Sequence, residues 1–323
     1  MSNVMIEARD LTKSYGPVHA LKGASFEVHK GEVLGFLGPN GAGKTTTMKI
    51  LTCFISPTSG TAKIGGCDVW EDPIGVRRAI GYLPESTPLY TEMLVTEYLE
   101  FMGKMRGLKG NELGKHVKKA IDETNLGDKR GSEIRALSKG YRQRVGLAQA
   151  LIHEPPVLIL DEPMSGLDPN QAADIRDLIK QIGEERTVIL STHNLAEVQV
   201  ACKRVLIVAG GRIVANDTPE ELAARAGKAA FMATITAPSG STSEARAKFA
   251  AIAGAGLVRE HAGDAEGELV LEITPKGDDD LRAPIFRCAV DNGYQLLGLE
   301  KRGVDLEAIF RELTTNASSK EAK

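Results

Sequence analysis

Residues suited to phosphate chemistry are concentrated in two short stretches of this sequence. The first is GPNGAGKT, Gly38 to Thr45, which follows an apolar run and precedes a helical pattern. Glycines at such a turn let successive backbone N–H groups surround phosphate oxygens, which also meet the positive end of the helix. We expect Lys44 to neutralise the phosphates and the Thr45 hydroxyl to ligate Mg²⁺. A glycine-rich surface turn is the alternative, but the eight-position match between strand and helix disfavours it.

The second stretch runs from Leu137 to Pro163 and ends in two adjacent carboxylates, Asp161 and Glu162. They follow the apolar strand pattern VLIL, and the carboxyl end of a strand is where an α/β sheet binds ligands. We expect Asp161 to hold Mg²⁺ through water and Glu162 to polarise an attacking water molecule. Asp-Glu-Pro after a strand is otherwise a solvated turn, and the upstream phosphate loop is what favours catalysis. This stretch also begins with a glycine-containing turn at a helix start, so a phosphate-binding half-site and a water-activating half-site are adjacent in sequence, which suggests an ATPase built from two half-complete units.

Strand and helix patterns alternate around both stretches, which predicts parallel pairing and an α/β core. Helices are expected near Lys44–Phe54, after Asn170, after Asn194 and from Pro219, and the helical pattern of about residues 95–125 indicates an inserted helical lobe. The predicted strands are Val4–Leu11, Gly23–Val28, Val33–Gly38, Thr61–Ile64, Ile80–Leu83, Val157–Leu160, Thr187–Leu190 and Val205–Val208.

The last third of the chain has a different pattern, with more Ala, Gly and Ser. Its strands and helices follow the order βαββαβ, which is that of a ferredoxin-like α+β domain. A final short helix is predicted at Leu306–Leu313, followed by a polar tail. The sequence therefore predicts a nucleotide-binding domain over 1–225, an accessory α+β domain over 226–313 and a disordered tail over 314–323.

Composition excludes several classes of protein. The formal net charge of −3 argues against a nucleic-acid-binding surface spread over the whole protein. No window approaches the roughly 20 apolar residues that span a bilayer, and the acidic N-terminus does not fit a secretory signal. The four cysteines form no CxxC pair, so they indicate neither a zinc site nor a disulfide framework. A cytoplasmic protein with reduced thiols is expected.

Leu137, Ser138 and Gly140, with the continuation VGLAQALIHEPPVLILDEP, give the chain a family resemblance. It resembles the ATP-binding subunit of an ATP-binding cassette (ABC) transporter over about Met5 to Arg225. The resemblance implies an α/β P-loop NTPase cassette with a mixed or parallel sheet core, an antiparallel β subdomain and a helical lobe at about 86–150. It also implies that Ser138, Lys139 and Gly140 meet the γ-phosphate of ATP bound to the partner subunit, in a head-to-tail dimer. A plain helix cap is the alternative for LSKG.

Further positions match the family one at a time. Tyr15 matches the aromatic residue that stacks on adenine, and Asp168 belongs to the loop SGLD that links the two active sites; ordinary packing and a simple turn are the alternatives. His193 matches the switch histidine that contacts the γ-phosphate, which with Glu162 and Lys44 completes the implied catalytic set. The implied ATP-binding loop consists of Gly38, Pro39, Asn40, Gly41, Ala42, Gly43, Lys44, Thr45 and Thr46.

Two departures from the family pattern are present. Glu85 stands where most members have glutamine; it could still touch Mg²⁺ or water alongside Thr45 and Asp161, but its charge would oppose that of the γ-phosphate. Lys139 and Tyr141 replace glycine and glutamine, and Lys139 is either a phosphate contact or a solvated helix-start residue. These departures are similar to those of gliding-motility-type exporter ATPases. GVDLEAIFRELT is similar to the ending of an accessory domain found on many such ATPases.

The resemblance implies an ATPase with ATP and Mg²⁺ as cofactors. It implies a homodimer or cassette heterodimer that forms on ATP, lies on the inner face of the cell membrane and powers a separate permease, with export preferred. No nucleic-acid partner is expected. A soluble ABC ATPase acting on a ribosome, DNA or cluster-assembly complex is the alternative, although the chain has one cassette and lacks a long coiled-coil insertion between Lys44 and Ser138. About Phe231 to Leu313 is a candidate binding module for substrate or regulator.

Overall fold

The computed structural model describes residues 3–225, 230–236, 242–263, 267–277, 279–302, 307, 310–311 and 313–315. Contacts divide the chain into two compact units, Met1–Pro219 with Phe310–Lys323, and Glu220–Ile309. Half of the predicted final helix, Leu306–Leu313, and most of the predicted tail lie outside the described residues.

The strands and helices are numbered in chain order. The strands are β1 (Val4–Tyr15), β2 (Val18–His29), β3 (Val33–Leu37), β4 (Ser59–Ile64), β5 (Cys67–Asp68), β6 (Ile80–Leu83), β7 (Val157–Asp161), β8 (Thr187–Thr192), β9 (Arg204–Ala209), β10 (Arg212–Asp217), β11 (Ala230–Thr236), β12 (Ala255–Ala262), β13 (Glu268–Pro275) and β14 (Gln295–Arg302). The α-helices are α1 (Lys44–Leu51), α2 (Pro73–Ala79), α3 (Val95–Met105), α4 (Gly110–Glu123), α5 (Lys139–Leu151), α6 (Pro169–Glu185), α7 (Leu195–Ala201), α8 (Pro219–Arg225), α9 (Thr242–Ala250) and α10 (Arg282–Asp291).

The first unit is built around a six-stranded sheet in the order β10-β9-β3-β8-β7-β6. Its inner strands pair in parallel, as predicted, and only β10 runs antiparallel to its neighbour β9. Every residue of β3, β7 and β8 is buried, which is what an apolar strand covered on both faces requires. The carboxyl ends of β3, β7 and β8 therefore meet at one edge of this sheet.

A separate antiparallel sheet has the order β2-β1-β4-β5. Its first two strands are longer than predicted, because β1 reaches Tyr15 and β2 starts at Val18 with irregular register between them. The helix α1 is shorter than predicted and ends at Leu51, since Cys53 takes the left-handed conformation with φ 55°. Phe54 N then donates to the Lys49 carbonyl at 2.8 Å, which closes the helix end.

The predicted helical lobe contains α3 and α4, and its own apolar core also includes residues of α5. The apolar residues of α3 and α4 recur at helical spacing, so each helix buries one face and exposes the other. This core includes Tyr98, Leu99, Val117, Ile121 and Val145. The lobe thus holds the N-terminal turn of α5 on a packed support.

The described part of the second unit contains a four-stranded antiparallel sheet and the helices α9 and α10, which follow the predicted chain order βαββαβ. The strand order is β12-β13-β11-β14. Alternate residues of β11 and β13 are buried in a core with α9 and α10, which agrees with a sheet covered on one face.

Candidate nucleotide-binding site

The loop between β3 and α1 has a backbone that only glycine accommodates at two points. Gly43 has φ 107°, and a Cβ there would lie 2.6 Å from the Ala20 carbonyl oxygen. At Gly38 a Cβ would lie 2.4 Å from the Val208 carbonyl oxygen. Gly43 is also the N-cap of α1 and provides no side-chain cap. The first amides of α1 are therefore left for an anion, which the helix dipole also favours.

Lys44 is the buried cation of this loop, with 6% of its surface exposed. Its Nζ donates to the carbonyl oxygens of Gly38 at 2.7 Å and Pro39 at 3.3 Å. The same Nζ lies 3.3 Å from Glu162 Oε1. An ammonium held in this position supplies positive charge to a phosphate in the loop, and a phosphate would compete with Glu162 for it.

Asp161 lies at the end of β7, where two hydroxyls surround one of its oxygens. Ser191 Oγ donates to Asp161 Oδ1 at 2.5 Å, and Thr45 Oγ1 lies 3.5 Å from that same oxygen. Asp161 Oδ2 is buried and has no hydrogen-bond partner. Oxygen atoms of this kind suit a hard divalent cation, since an orphaned buried carboxylate oxygen otherwise costs free energy. Ser191 was not predicted; its only sequence signal is its place at the end of a buried strand.

Glu162 is held in a specific and unusual conformation. Its φ of 49° is left-handed, and its backbone N donates to the Ser191 carbonyl oxygen at 3.1 Å. Its Oε2 lies 2.8 Å from His193 Nδ1, so a Glu162 carboxylate accepts from an Nδ1–H tautomer. Glu162 is 7% exposed, whereas the His193 side chain is 55% exposed. The Glu162 carboxylate is thus buried, whereas the His193 imidazole is open to a ligand.

The comparisons with known proteins give this geometry a family. The ABC transporter family matches residues 21–165. Linearmycin resistance ATP-binding protein LnrL of Bacillus subtilis (strain 168) is 31% identical over 311 residues, which make up 96% of this chain and 98% of that protein. The chain belongs to the ABC transporter family, as an ATP-binding subunit. The predicted recognition of this family is confirmed: the cassette is an ATPase that binds ATP and powers a membrane transporter.

Two solved structures resemble the cassette. A dimeric ATP-binding cassette in a post-hydrolysis state, bound to ADP and Pi, has a TM-score of 0.60 at 25% identity and covers 66% of this chain and 98% of that one. The structure of cbiO1 from Clostridium perfringens, part of the ABC transporter complex cbiONQ, has a TM-score of 0.64 at 29% identity and covers 69% and 92%. The predicted P-loop NTPase fold is thereby confirmed. Across the part of the chain that the structure describes, no helix has both the length and the apolar character of a membrane span.

The cassette's signature residues lie at the start of α5. Ser138 is the N-cap, and its Oγ accepts from Tyr141 N at 3.4 Å. Gly140 is buried, and a Cβ there would lie 2.6 Å from Gln171 Oε1. Lys139 is exposed. Asp168 caps α6 and accepts from Gln171 N at 2.9 Å. Capping accounts for the residue types of Ser138 and Asp168 within one chain, and contact with ATP stays a prediction for all four residues.

Tyr15 and Glu85 are exposed positions of the cassette. The Tyr15 ring is 48% exposed, with Lys13 Nζ 5.3 Å from its centroid, so the ring is available for stacking. Glu85 lies on the loop after β6. Burial, followed by the charges of Asp161 and Glu85, raises the pKa of Tyr82 to about 12. Glu85 therefore acts on the same region as Asp161, and its role as a cation ligand stays a prediction.

Proposed function

We propose that this cassette hydrolyses ATP between two head-to-tail subunits and drives export through a separate permease at the inner face of the cell membrane. The observation that carries the chemical part is the chain of contacts Lys44–Glu162–His193 beside the phosphate loop. It joins a phosphate-binding cation, a buried carboxylate base and an exposed imidazole in one place. These are the groups that phosphoryl transfer to water needs.

The residues divide the hydrolysis among them. The loop amides and Lys44 bind and orient the phosphates, while Glu162 accepts a hydrogen bond from the attacking water. The water oxygen bonds to the γ-phosphorus as the bond to the β–γ bridging oxygen breaks, and ADP keeps that electron pair. Glu162 is placed to hold the proton that the water loses, and His193 keeps Glu162 in this orientation through its Nδ1–H.

The same site supports Mg²⁺ as cofactor. Among the described residues no group of three or more His, Cys, Asp and Glu side chains could hold a metal ion. Mg²⁺ is held in proteins by one or two carboxylates with substrate phosphates and water, so an all-protein cage is not required. Asp161 and Thr45 would hold it, since Asp161 Oδ2 lacks a partner. When bound, Mg²⁺ neutralises phosphate charge.

The contacts of the signature turn support dimerisation on ATP. Each chain carries one phosphate loop with its base and one signature turn, Ser138 to Gly140, whose contacts are made with its own α5 and α6. The solved relative bound to ADP and Pi is dimeric. A second copy, or a similar cassette, would place its signature turn over this chain's ATP.

A surface groove of about 300 Å³ on the first unit supports a protein partner. Phe54 and Trp70 line it and are 73% and 70% exposed, which is unusual for side chains of this size. The relative cbiO1 is part of the complex cbiONQ, and the relative LnrL is a linearmycin resistance protein. We assign an intracellular loop of a permease as the occupant of this groove. We also propose that the transporter moves a compound out of the cell.

Copurification from solubilised membranes tests this function against the alternative of a soluble ABC ATPase. The Glu162→Gln variant should be used because it should retain the ATP-bound complex. Recovery of a multi-span membrane protein with the cassette supports the proposal. Recovery of ribosomes, DNA or a cluster-assembly complex, with the cassette absent from membranes, would overturn it.

A further inference from the structure

The turn that carries His193 has an unusual arrangement of hydrogen bonds. Asn194 is the N-cap of α7, and its side chain accepts from Ala196 N at 3.0 Å. In an ordinary capping box the glutamate at the third helical position would accept from the N-cap backbone N–H. Here Asn194 N donates to Thr192 Oγ1 at 3.1 Å, and Thr192 Oγ1 donates to Glu197 Oε2 at 2.6 Å. The Thr192 hydroxyl thus lies between Asn194 N and the Glu197 carboxylate, which would bond to each other directly in a capping box.

This arrangement fixes both neighbours of His193. Thr192 is 1% exposed, and its carbonyl oxygen accepts from Gly38 N at 3.3 Å. Glu197 therefore accepts a hydrogen bond from Thr192, the residue whose carbonyl oxygen connects β8 to the phosphate loop. The backbone on either side of His193 is held by this contact, while the imidazole itself bonds to Glu162.

Burying the Glu197 carboxylate costs free energy that helix capping alone does not explain. The pKa of Glu197 is raised above 4.5, mainly by burial and further by the charge of Glu162. The Thr192 hydrogen bond and the charges of His193 and Arg176 offset only part of this rise. Asn or Gln would cap or accept without adding a second carboxylate near the base. The position in the first turn of α7 offsets part of the cost through the helix dipole.

We propose that Glu197 is a positioning residue for ATP hydrolysis. It holds the Thr192 hydroxyl, and thereby the turn in which His193 Nδ1 meets Glu162 Oε2. The inference rests on ATP hydrolysis at this site, and it goes beyond that function because Glu197 contacts none of the reacting atoms.

Steady-state ATPase kinetics of Glu197→Ala and Glu197→Gln test the inference. The kcat of the alanine variant should fall about tenfold, as for other residues that orient a catalytic group, with the KM for ATP within about twofold because the phosphate loop is intact. The glutamine variant should recover most of the rate, since its amide oxygen accepts from Thr192. Thr192→Val should also lower kcat, since it removes the same contact to Glu197 together with the hydroxyl that accepts from Asn194 N at the start of α7.

A double-mutant cycle separates positioning from a loss of fold. Combining Glu197→Ala with His193→Ala should cost little beyond His193→Ala alone, since the group being positioned is gone. Glu112→Ala, in the first turn of α4, is the matched control and should leave kcat unchanged. An unchanged kcat in both Glu197→Ala and Thr192→Val, or an equal fold loss with and without His193, overturns the inference. A wild-type protein without ATPase activity would instead defeat the proposed function.

Discussion

At the scale of single residues, the Glu162 carboxylate has two side-chain partners among the described residues. Lys44 lies at one carboxylate oxygen and His193 at the other, in a conformation with positive φ that costs a non-glycine residue roughly 1–3 kcal/mol. The Ser191 carbonyl oxygen of β8 helps to hold this conformation, because it accepts a hydrogen bond from Glu162 N. A phosphate in the loop would compete with Glu162 for Lys44, and we expect ATP binding to weaken the contact between these two side chains.

Replacement of Glu162 by Gln should therefore separate binding from hydrolysis. The amide keeps the shape but accepts no proton, so steady-state phosphate release should fall by about 100-fold or more, while ATP binding persists. Size-exclusion chromatography with ATP should show an accumulated dimer. Glu184→Gln, at an exposed position of α6, is the control. Wild-type phosphate release by the Glu162 variant would contradict the assignment of the base.

Sequence alone predicted those candidate site residues that belong to a local motif, and the structure brings them together. Lys44, Asp161 and Glu162 follow from spacing, because a loop before a helix and a strand end fix their positions. The partners of these residues did not follow. The contact of Ser191 with Asp161 depends on which strands become neighbours and on side-chain directions across them, and no local pattern encodes it.

At the scale of secondary-structure elements, Arg204 of β9 joins three other segments. Its guanidinium donates to Glu32 Oε1 at 2.6 Å, to the Glu27 carbonyl oxygen at 2.6 Å and to Asn216 Oδ1 at 2.6 Å. These contacts connect β9 with the end of β2, the turn before β3, and β10. The sequence predicted the strands but not this connection, since the partners are up to 177 positions away in the chain.

The Glu32–Arg204 pair predicts a pH dependence of stability. Burial alone would raise the pKa of Glu32, but the hydrogen bonds from Arg204 and His29 N and the Arg204 charge lower it below 4.5. The folded-state pKa is depressed, so this contribution to stability is present above pH 4.5 and is lost as pH falls through the lower, folded value. Urea unfolding of Glu32→Gln should show a lower free energy of unfolding than wild type at pH 7, by about 1–3 kcal/mol.

The difference in unfolding free energy between Glu32→Gln and wild type should shrink as pH falls below 4.5, where the carboxylate of the unfolded chain takes up a proton. It should vanish below the folded-state pKa, where the carboxylate is protonated in both states. Glu260→Gln, on β12 of the second unit, serves as the reference for the loss of one surface carboxylate. A gap that stays constant from pH 7 to pH 3.5 would show that the pair contributes nothing specific.

At the scale of the whole molecule, the proposed function has one chain supply parts of two different sites. In this proposal Lys44 and Glu162 serve the ATP bound by the chain itself, and Ser138 serves the ATP of its partner. This division cannot be read from contacts within one subunit, because Ser138 there only caps α5. It has a clear genetic consequence.

Mixed dimers of Lys44→Ala with Ser138→Arg should regain activity. Each variant alone damages both sites of its homodimer, whereas a heterodimer retains one intact site. With random pairing in an equal mixture, the rate should reach about a quarter of the wild-type rate. Phosphate release by the mixture, compared with the sum of the separate variants, measures this. A mixture no more active than that sum would argue for sites completed within one chain.

The exposed groove on the first unit has a consequence for spectroscopy. Trp70 is the single tryptophan of the chain and is 70% exposed at the groove. The intrinsic fluorescence of the protein excited at the red edge of the absorption band therefore reports from one place. A partner that covers the groove would move the indole from water into an apolar contact and shift its emission to shorter wavelength. The cassette thus carries a native optical probe at the surface where we expect the permease to bind.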